Sequence, residues 1–420
     1  MTILVAEVRE SIFDFLNNST ATLLIGISIM LFAGFLLTRI TKKFKLPNVT
    51  AYIITGIILG PTFYFVFGKT LISDVVVNGM GFLGDVALAF IAFNAGRFFK
   101  LSVLKESGGK VVIIAIFEAL LAAVLVFVVM FFLFNLNWQL SILLGAIASA
   151  TSPASTMVTI RQTKSKGHFP NTVLQVIALD SAIALLLFSI SLGVVTSNQT
   201  AGGFGPMDII MPIIINLGIL ILGGAIGWLL HKLIIESRST DNRLIILLSL
   251  LLALTGFAVY FNVSPLLGCM AMGTVYLNLS KDTSLFSQLD HFSPPILSLF
   301  FVLSGMRLQL DMLASIGLIG IVYFVVRIIG KYAGASLGSI VSNSTTNNKK
   351  YLGLALIPQA GVAIGLAALG ARVLEGVGLF DEAAMLSTII VAAGVLYEIF
   401  GPPSAKLSLY LSKSYDIENE

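Results

Sequence analysis

Runs of about 20 apolar residues recur along almost the whole chain, and each is long enough to cross a lipid bilayer as a helix. One of them, residues 176–188, reads VIALDSAIALLLF, with only Asp180 and Ser181 interrupting it. Of the 420 residues, 57% are hydrophobic and 11% are charged, too few charges to coat a soluble protein of this length. The alternating polarity of barrel strands is absent. The reading is an all-α polytopic membrane protein with about 13 transmembrane helices. They fall at roughly 20–38, 49–66, 81–96, 111–134, 138–160, 171–196, 208–230, 244–261, 264–280, 294–310, 314–341, 351–371 and 383–402.

Other function classes have little support. The lone Cys269 excludes an intrachain disulfide framework. His168, His231 and His291 share no ligand spacing, so no resident metal site is expected. No GxxxxGK[ST] loop exists to cradle a phosphate, so neither ATP nor any other cofactor is expected, and the chain does not read as an enzyme. The net charge of +4 is no sign of nucleic-acid binding, because its distribution follows the membrane. Residues 1–11 lack the pattern of a signal peptide and suit a short amphipathic helix at the membrane surface. The polar stretch SNSTTNNKK, 342–350, reads as a solvated loop.

The basic residues set an orientation. With the N-terminus outside, 19 of the 25 Lys and Arg fall on the cytoplasmic side, among them Arg39, Lys42, Arg97, Arg161, Lys232, Lys349 and Lys406. Only Arg9, Lys69, Arg307 and Arg372 fall opposite. That asymmetry supports an odd number of spans, a cytoplasmic C-terminus and a multi-pass protein of the cell membrane.

Thirteen spans divide as six, one linker and six, which makes the halves inverted repeats. The fifth span of each half carries a proline near its middle: Pro153 within ATSPAST (150–156) and Pro358 within IPQAG (357–361). Proline removes a backbone donor and clashes with the preceding turn, so the expectation is a matched pair of crossed broken helices.

Few charges lie inside the spans, and intramembrane charges usually serve transport. Asp180 lies about 13 Å from the cytoplasmic end of its span, Lys331 about 16 Å from its own, and the Ser152–Pro153 break about 13 Å deep, at 1.5 Å per residue. All three depths sit near the midplane of a core about 30 Å thick. Asp180 and Lys331 are therefore the expected charge pair beside the broken helices. Arg327, one turn from Lys331, needs compensation of its own; Glu118 is the other deep acid and one candidate partner, a contact that depth leaves open. Asp85 reads as interfacial.

In order and spacing these motifs resemble the monovalent cation:proton antiporter superfamily, in its Kef-like and Nha-like bacterial branch. PNVTAYIITGIILGP (47–61) is similar to the family's second-span signature, TSPAST (151–156) to its first broken helix, and ALDS (178–181) to its acidic dyad. RIIGKYAG (327–334), PPILSLFFVLSGM (294–306) and PQAGVAIGLA (358–367) also fit. The resemblance implies a secondary antiporter of Na⁺, Li⁺ or K⁺ against H⁺. It implies an elevator mechanism, a role in pH homeostasis and a homodimer in the bilayer. It implies one transporter domain over 1–402, with core helices at about 111–196 and 314–402 and dimerisation or scaffold helices at about 20–96 and 208–310, followed by a short cytoplasmic tail, 403–420. Asp180 would take the proton and the cation, and Lys331 would pair with it when no cation is bound. Thr151, Ser152, Ser181 and freed carbonyls would add oxygen ligands, with Pro153, Pro358, Gln359, Arg327 and Glu118 in support.

One position departs from the pattern. Ser181 stands where the resemblance places a second acid. A hydroxyl coordinates a cation as a neutral ligand but carries no proton charge, which leans towards one proton per cation. It also leaves open an anion transporter using Arg327 and Lys331, or a relative that does not exchange ions.

Overall fold

Apolar runs with few internal charges to solvate give long helices, and helices dominate the computed structural model. It describes residues 19–43, 48–72, 74–97, 99, 101, 108–152, 156–157, 159–160, 163–197, 206–235, 238–261, 265–308, 310–359 and 361–415. The expected N-terminal surface helix and Pro153 lie outside these residues. No strand occurs among the described residues.

In chain order the helices are α1 (Ser19–Lys43), α2 (Asn48–Phe67), α3 (Asp74–Gly79), α4 (Phe82–Gly96), α5 (Gly109–Leu133), α6 (Trp138–Ser149), α7 (His168–Ser197) and α8 (Pro206–Leu233). They continue as α9 (Thr240–Tyr260), α10 (Leu266–Ser280), α11 (Ser284–Phe292), α12 (Pro294–Met306), α13 (Leu310–Val341), α14 (Thr346–Ala355), α15 (Gly361–Gly376) and α16 (Phe380–Leu411). Eight are long and apolar enough to cross a membrane, and α4, α6, α10 and α12 are shorter apolar helices. Inside α2, the widened π turn at Ile58–Thr62 accommodates Pro61.

Two boundaries differ from the sequence reading. Residues 346–350 are the first turn of α14 rather than loop, because the Thr345 side chain caps the helix by accepting from the Asn348 N–H. Helix α16 runs on through Pro402 and Pro403 to Leu411. The Ser404 and Ser408 hydroxyls donate to Leu354 O and Tyr351 O of α14 at 3.0 and 2.7 Å, which ties the extension down.

The most extensive helix contact is between α13 and α5. Gly330, Gly334 and Gly338 form a stripe at four-residue spacing on α13. A β-carbon at these positions would fall 2.7 Å from Ala122 Cα, 2.5 Å from Glu118 Cα and 2.8 Å from Ile114 Cα. The backbones therefore approach as small-residue seams permit in membranes, and Glu118 is carried against the face of α13.

Candidate functional site

The fifth and twelfth apolar spans are each broken. Helix α6 ends at Ser149, the chain passes Ala150 in extended conformation, and Thr156 is again helical. Helix α14 ends at Ala355, and α15 begins at Gly361. The last carbonyls of a helix have no partner within it. Here each break supplies donors to the other. The Ser152 N–H donates to Pro358 O at 2.9 Å, Thr151 Oγ1 to Leu356 O at 3.3 Å, and Thr156 Oγ1 to Ala355 O at 3.1 Å. In return, Gln359 Nε2 donates to Ile147 O at 2.8 Å and to Ala150 O at 3.4 Å. Gly401 of α16 has no side chain to strike Pro358, whose Cα would lie 2.9 Å from an added β-carbon.

Two cations from α13 complete the crossing. Arg327 is fully buried and serves both breaks: Nε donates to Ala148 O at 2.9 Å, Nη2 to Ala150 O at 2.6 Å, and Nη1 to Ile357 O at 2.8 Å. Its guanidinium also lies 4.6 Å from the centroid of the Tyr397 ring. A guanidinium suits this place, because its rigid fork spans several acceptors and partial negative charge gathers at the C-terminal end of α6.

One turn on, the Lys331 ammonium donates to both Asp180 oxygens at 3.0 Å and to Ser149 O. Glu118 Oε2 lies 2.7 Å from the same nitrogen. Asp180, Glu118 and Lys331 are each 0% exposed. Neither oxygen of the buried Glu118 carboxylate has a hydrogen-bond partner, so its contact with Lys331 is an ion pair. Glu118 thus pairs with Lys331, which settles the contact that depth left open, and not with Arg327, whose donors go to carbonyls. Ser181 is buried, and its hydroxyl donates to Ile177 O in its own helix at 3.0 Å.

The crossing therefore brings together Asp180, Lys331 and Glu118, with Arg327, Gln359, Thr151, Ser152 and Pro358 in the adjoining breaks. The two carboxylates balance the two cations. A buried ion pair is expensive to desolvate, and hydrophobic replacements are often more stable, so fold stability alone gives little reason for these charges. The sequence reading missed the carbonyl caps and one further pair. Asp85 on α4 holds Arg372 on α15 through two bonds of 2.5 and 2.9 Å. Beside that pair a crevice lies between α4 and α12 on one wall and α15 and α16 on the other. Leu88, Phe300, Ser304, Arg307, Ile364 and Arg372 are among the residues lining it.

Comparison with known proteins agrees with this architecture. Residues 27–402 match the family described as sodium/hydrogen exchanger, transmembrane. The chain is 21% identical over 383 residues to the ammonium/H⁺ antiporter subunit AmhT of Alkalihalophilus pseudofirmus, covering 91% of this chain and 94% of that protein. It is 26% identical over 213 residues to Na⁺/H⁺ antiporter 1 of Methanocaldococcus jannaschii, covering 50% of this chain and 46% of the other. Its fold is similar to the structure of the sodium proton antiporter MjNhaP1 from that archaeon at pH 8. The TM-score is 0.78 at 20% identity, over 94% of this chain and all of the other.

Proposed function

The chain belongs to the sodium/hydrogen exchanger family, and on that premise we propose that it is a secondary active antiporter exchanging a monovalent cation for protons at Asp180. The observation that carries the reading is a buried carboxylate, Asp180, held by Lys331 beside two interrupted helices. Proton and cation compete for that carboxylate. Either one neutralises Asp180 and displaces Lys331, so the loaded site moves more readily than the empty one. Freed carbonyls and the hydroxyls of Thr151 and Ser152 are the oxygen ligands a hard cation needs. Na⁺, Li⁺ and K⁺ are the candidate substrates, and ammonium joins them because one relative is named for it.

The finer picture is an elevator. The core, 111–196 and 314–402, carries the site and slides against a scaffold, 20–96 and 208–310, that also forms a homodimer. The N-terminus is outside and the C-terminus cytoplasmic, following the basic residues. The anion reading loses support, because Arg327 is committed to three carbonyls and Lys331 to two carboxylates.

The test is cation-dependent proton flux in proteoliposomes. The wild type should exchange at least one of the four cations, and Asp180→Asn should abolish exchange. Wild-type flux in Asp180→Asn would sink the reading.

A further inference from the structure

Far from the crossing, three chain segments meet at one end of the core: 163–168 before α7, 342–350 from the end of α13 into α14, and 412–415 after α16. Hydrogen bonds knit them together. The Lys166 N–H donates to Ser414 O at 3.3 Å and Asn347 Nδ2 to Ser412 O at 3.0 Å. Lys110 Nζ, from the first turn of α5, donates to Asn343 O at 3.2 Å. Beneath them Ile160, Phe169, Leu352 and Leu409 share one buried apolar cluster. The result is a single cap bearing Lys110, Lys164, Lys166, Lys349, Lys350 and Lys413. We propose that this cap docks the anionic headgroups of phospholipids in the cytoplasmic leaflet. The inference goes beyond the antiporter reading and rests on the orientation proposed with it.

The charge of the cap is unspent. Among the described residues no salt bridge reaches any of these six lysines, and all but the half-buried Lys349 are exposed. The described acids of the core lie elsewhere. Glu118, Asp180 and Glu398 are buried, and Glu375, Asp381 and Glu382 belong to the opposite ends of α15 and α16. Glu106, Asp416, Glu418 and Glu420 lie outside the described residues and are fewer than the lysines. On the scaffold, by contrast, Arg97 and Arg243 hold Asp290 and Asp282.

The backbone points the same way. Three of the five described non-glycine residues with positive φ are here, one in each segment: Lys164 at 51°, Asn343 at 49° and Lys413 at 57°. Glycine adopts this conformation without steric cost, and asparagine visits it more readily than a long side chain does. At two of the three turns the chain keeps a lysine where glycine would suit the backbone better. That choice gives the ammonium a use of its own.

The surroundings identify lipid rather than a soluble anion. Val341 ends α13 and Leu411 ends α16; both are exposed, as is Tyr410, and the polar cap begins just beyond them. Exposed apolar and tyrosine surface marks the edge of the hydrocarbon, so the lysines stand at headgroup level. Ammonium groups on flexible stems suit a field of phosphates better than one shaped ligand.

The experiment is thermal unfolding of the full chain in phosphatidylcholine mixed micelles, with and without phosphatidylglycerol at about a third of the lipid. Phosphatidylglycerol should raise the wild-type melting temperature by several degrees, and about 0.5 M salt should erase that rise by screening. A cap variant, Lys164→Gly, Lys413→Gly, Lys166→Gln and Lys350→Gln, should lose most of the rise. It should melt no lower than wild type in phosphatidylcholine alone, because glycine relaxes two of the positions and the other two are exposed. A scaffold variant with Arg39, Lys42, Lys43 and Lys232 changed to glutamine removes as many charges and should keep most of the rise. No rise in the wild type overturns the inference, even if the cap variant fails to fold. So does an equal loss in the two variants, a full rise in strong salt, or the same rise from inorganic phosphate at equal concentration. None of these readings involves transport, so the antiporter reading stands or falls separately.

Discussion

Arg372 on α15 grips both carboxylate oxygens of Asp85 on α4, at 2.5 and 2.9 Å, although the two residues are 287 positions apart. In the proposed elevator, α4 is scaffold and α15 is core, and the proposed orientation puts both residues towards the outer face. On that proposal the pair spans the sliding surface and opens in every cycle. The Arg372 side chain is 36% exposed, so the pair is worth only about 0.5–1 kcal/mol after solvent screening. Asp85→Asn and Arg372→Gln should each shift the balance of end states by about two- to fivefold, and the double variant no further than either single one. Thiol labelling of Ser304→Cys in the adjoining crevice, in a Cys269→Ser background, should speed up when either partner is changed. Unchanged labelling and unchanged apparent cation affinity would remove the pair from the cycle.

A second ion pair gives a pH prediction away from the transport site. Asp282, between α10 and α11, receives the Ser284 N–H at 2.7 Å, the Tyr276 hydroxyl at 3.0 Å and the Arg243 guanidinium. Burial works to raise its carboxyl pKa, but the Ser284 hydrogen bonds, Tyr276 and the Arg243 charge outweigh it and hold the pKa below its ordinary value. A depressed folded pKa gives stability that is present above the unfolded value, about 3.9, and is lost as pH falls through the lower folded one. Asp282→Asn should cost about 0.5–1 kcal/mol, a modest figure because the pair is partly solvated. The cost should hold constant from about pH 5 to 8 and vanish in stronger acid. Thermal unfolding in detergent across pH checks it; a gap that persists undiminished in strong acid would refute the carboxylate's role.

The apolar runs made most spans legible to within a few residues, because a helix in lipid must satisfy its own backbone and declares its length in composition. Depth alone then placed Asp180 near Lys331. Depth does not say which face of a helix a residue occupies, and for that reason it leaves open whether Glu118 meets Arg327. The signal that would have settled it was the spacing of Gly330, Gly334 and Gly338, which marks the face of α13 that meets α5. The carbonyl partners of Arg327 and Gln359 were not legible at all, since a backbone acceptor carries no residue identity. Thr345 shows a milder limit: a polar stretch looks the same as a loop or as a cap. The last span was bounded at 402, yet the bonds from Ser404 and Ser408 to α14 hold the helix beyond Pro402 and Pro403.

That glycine stripe gives a packing prediction. A β-carbon on Gly334 would lie 2.5 Å from Glu118 Cα and 2.7 Å from Phe117 O, both backbone atoms with no rotamer to turn aside. Gly334→Ala must push α13 off α5, at about 1–3 kcal/mol for overpacking. The same shift draws Glu118 away from Lys331, so transport should fall together with thermal stability. Gly320→Ala is the control, since nothing lies within 4 Å of its added carbon. Equal melting temperatures for the two variants in detergent would contradict the close approach.

Arg327 should prove the least replaceable residue of the crossing. It gives three bonds to carbonyls of two separate breaks, at 2.6–2.9 Å, from a site with no solvent exposure. Hydrogen bonds from a charged donor contribute about 1.5–3 kcal/mol each, and a buried acceptor left bare adds a penalty of similar size. Lysine keeps the charge but not the planar fork, so Arg327→Lys should strand at least one carbonyl and cost about 2–5 kcal/mol. The variant should melt several degrees lower in detergent and transport poorly, because the breaks lose the brace that holds Ala150 and Ile357 together. Neutral replacement by methionine should be worse still, since no group remains to face the C-terminal ends of α6 and α14. An Arg327→Lys protein with wild-type melting and flux would mean that Gln359, Thr151 and the Ser152 N–H suffice to hold the crossing by themselves.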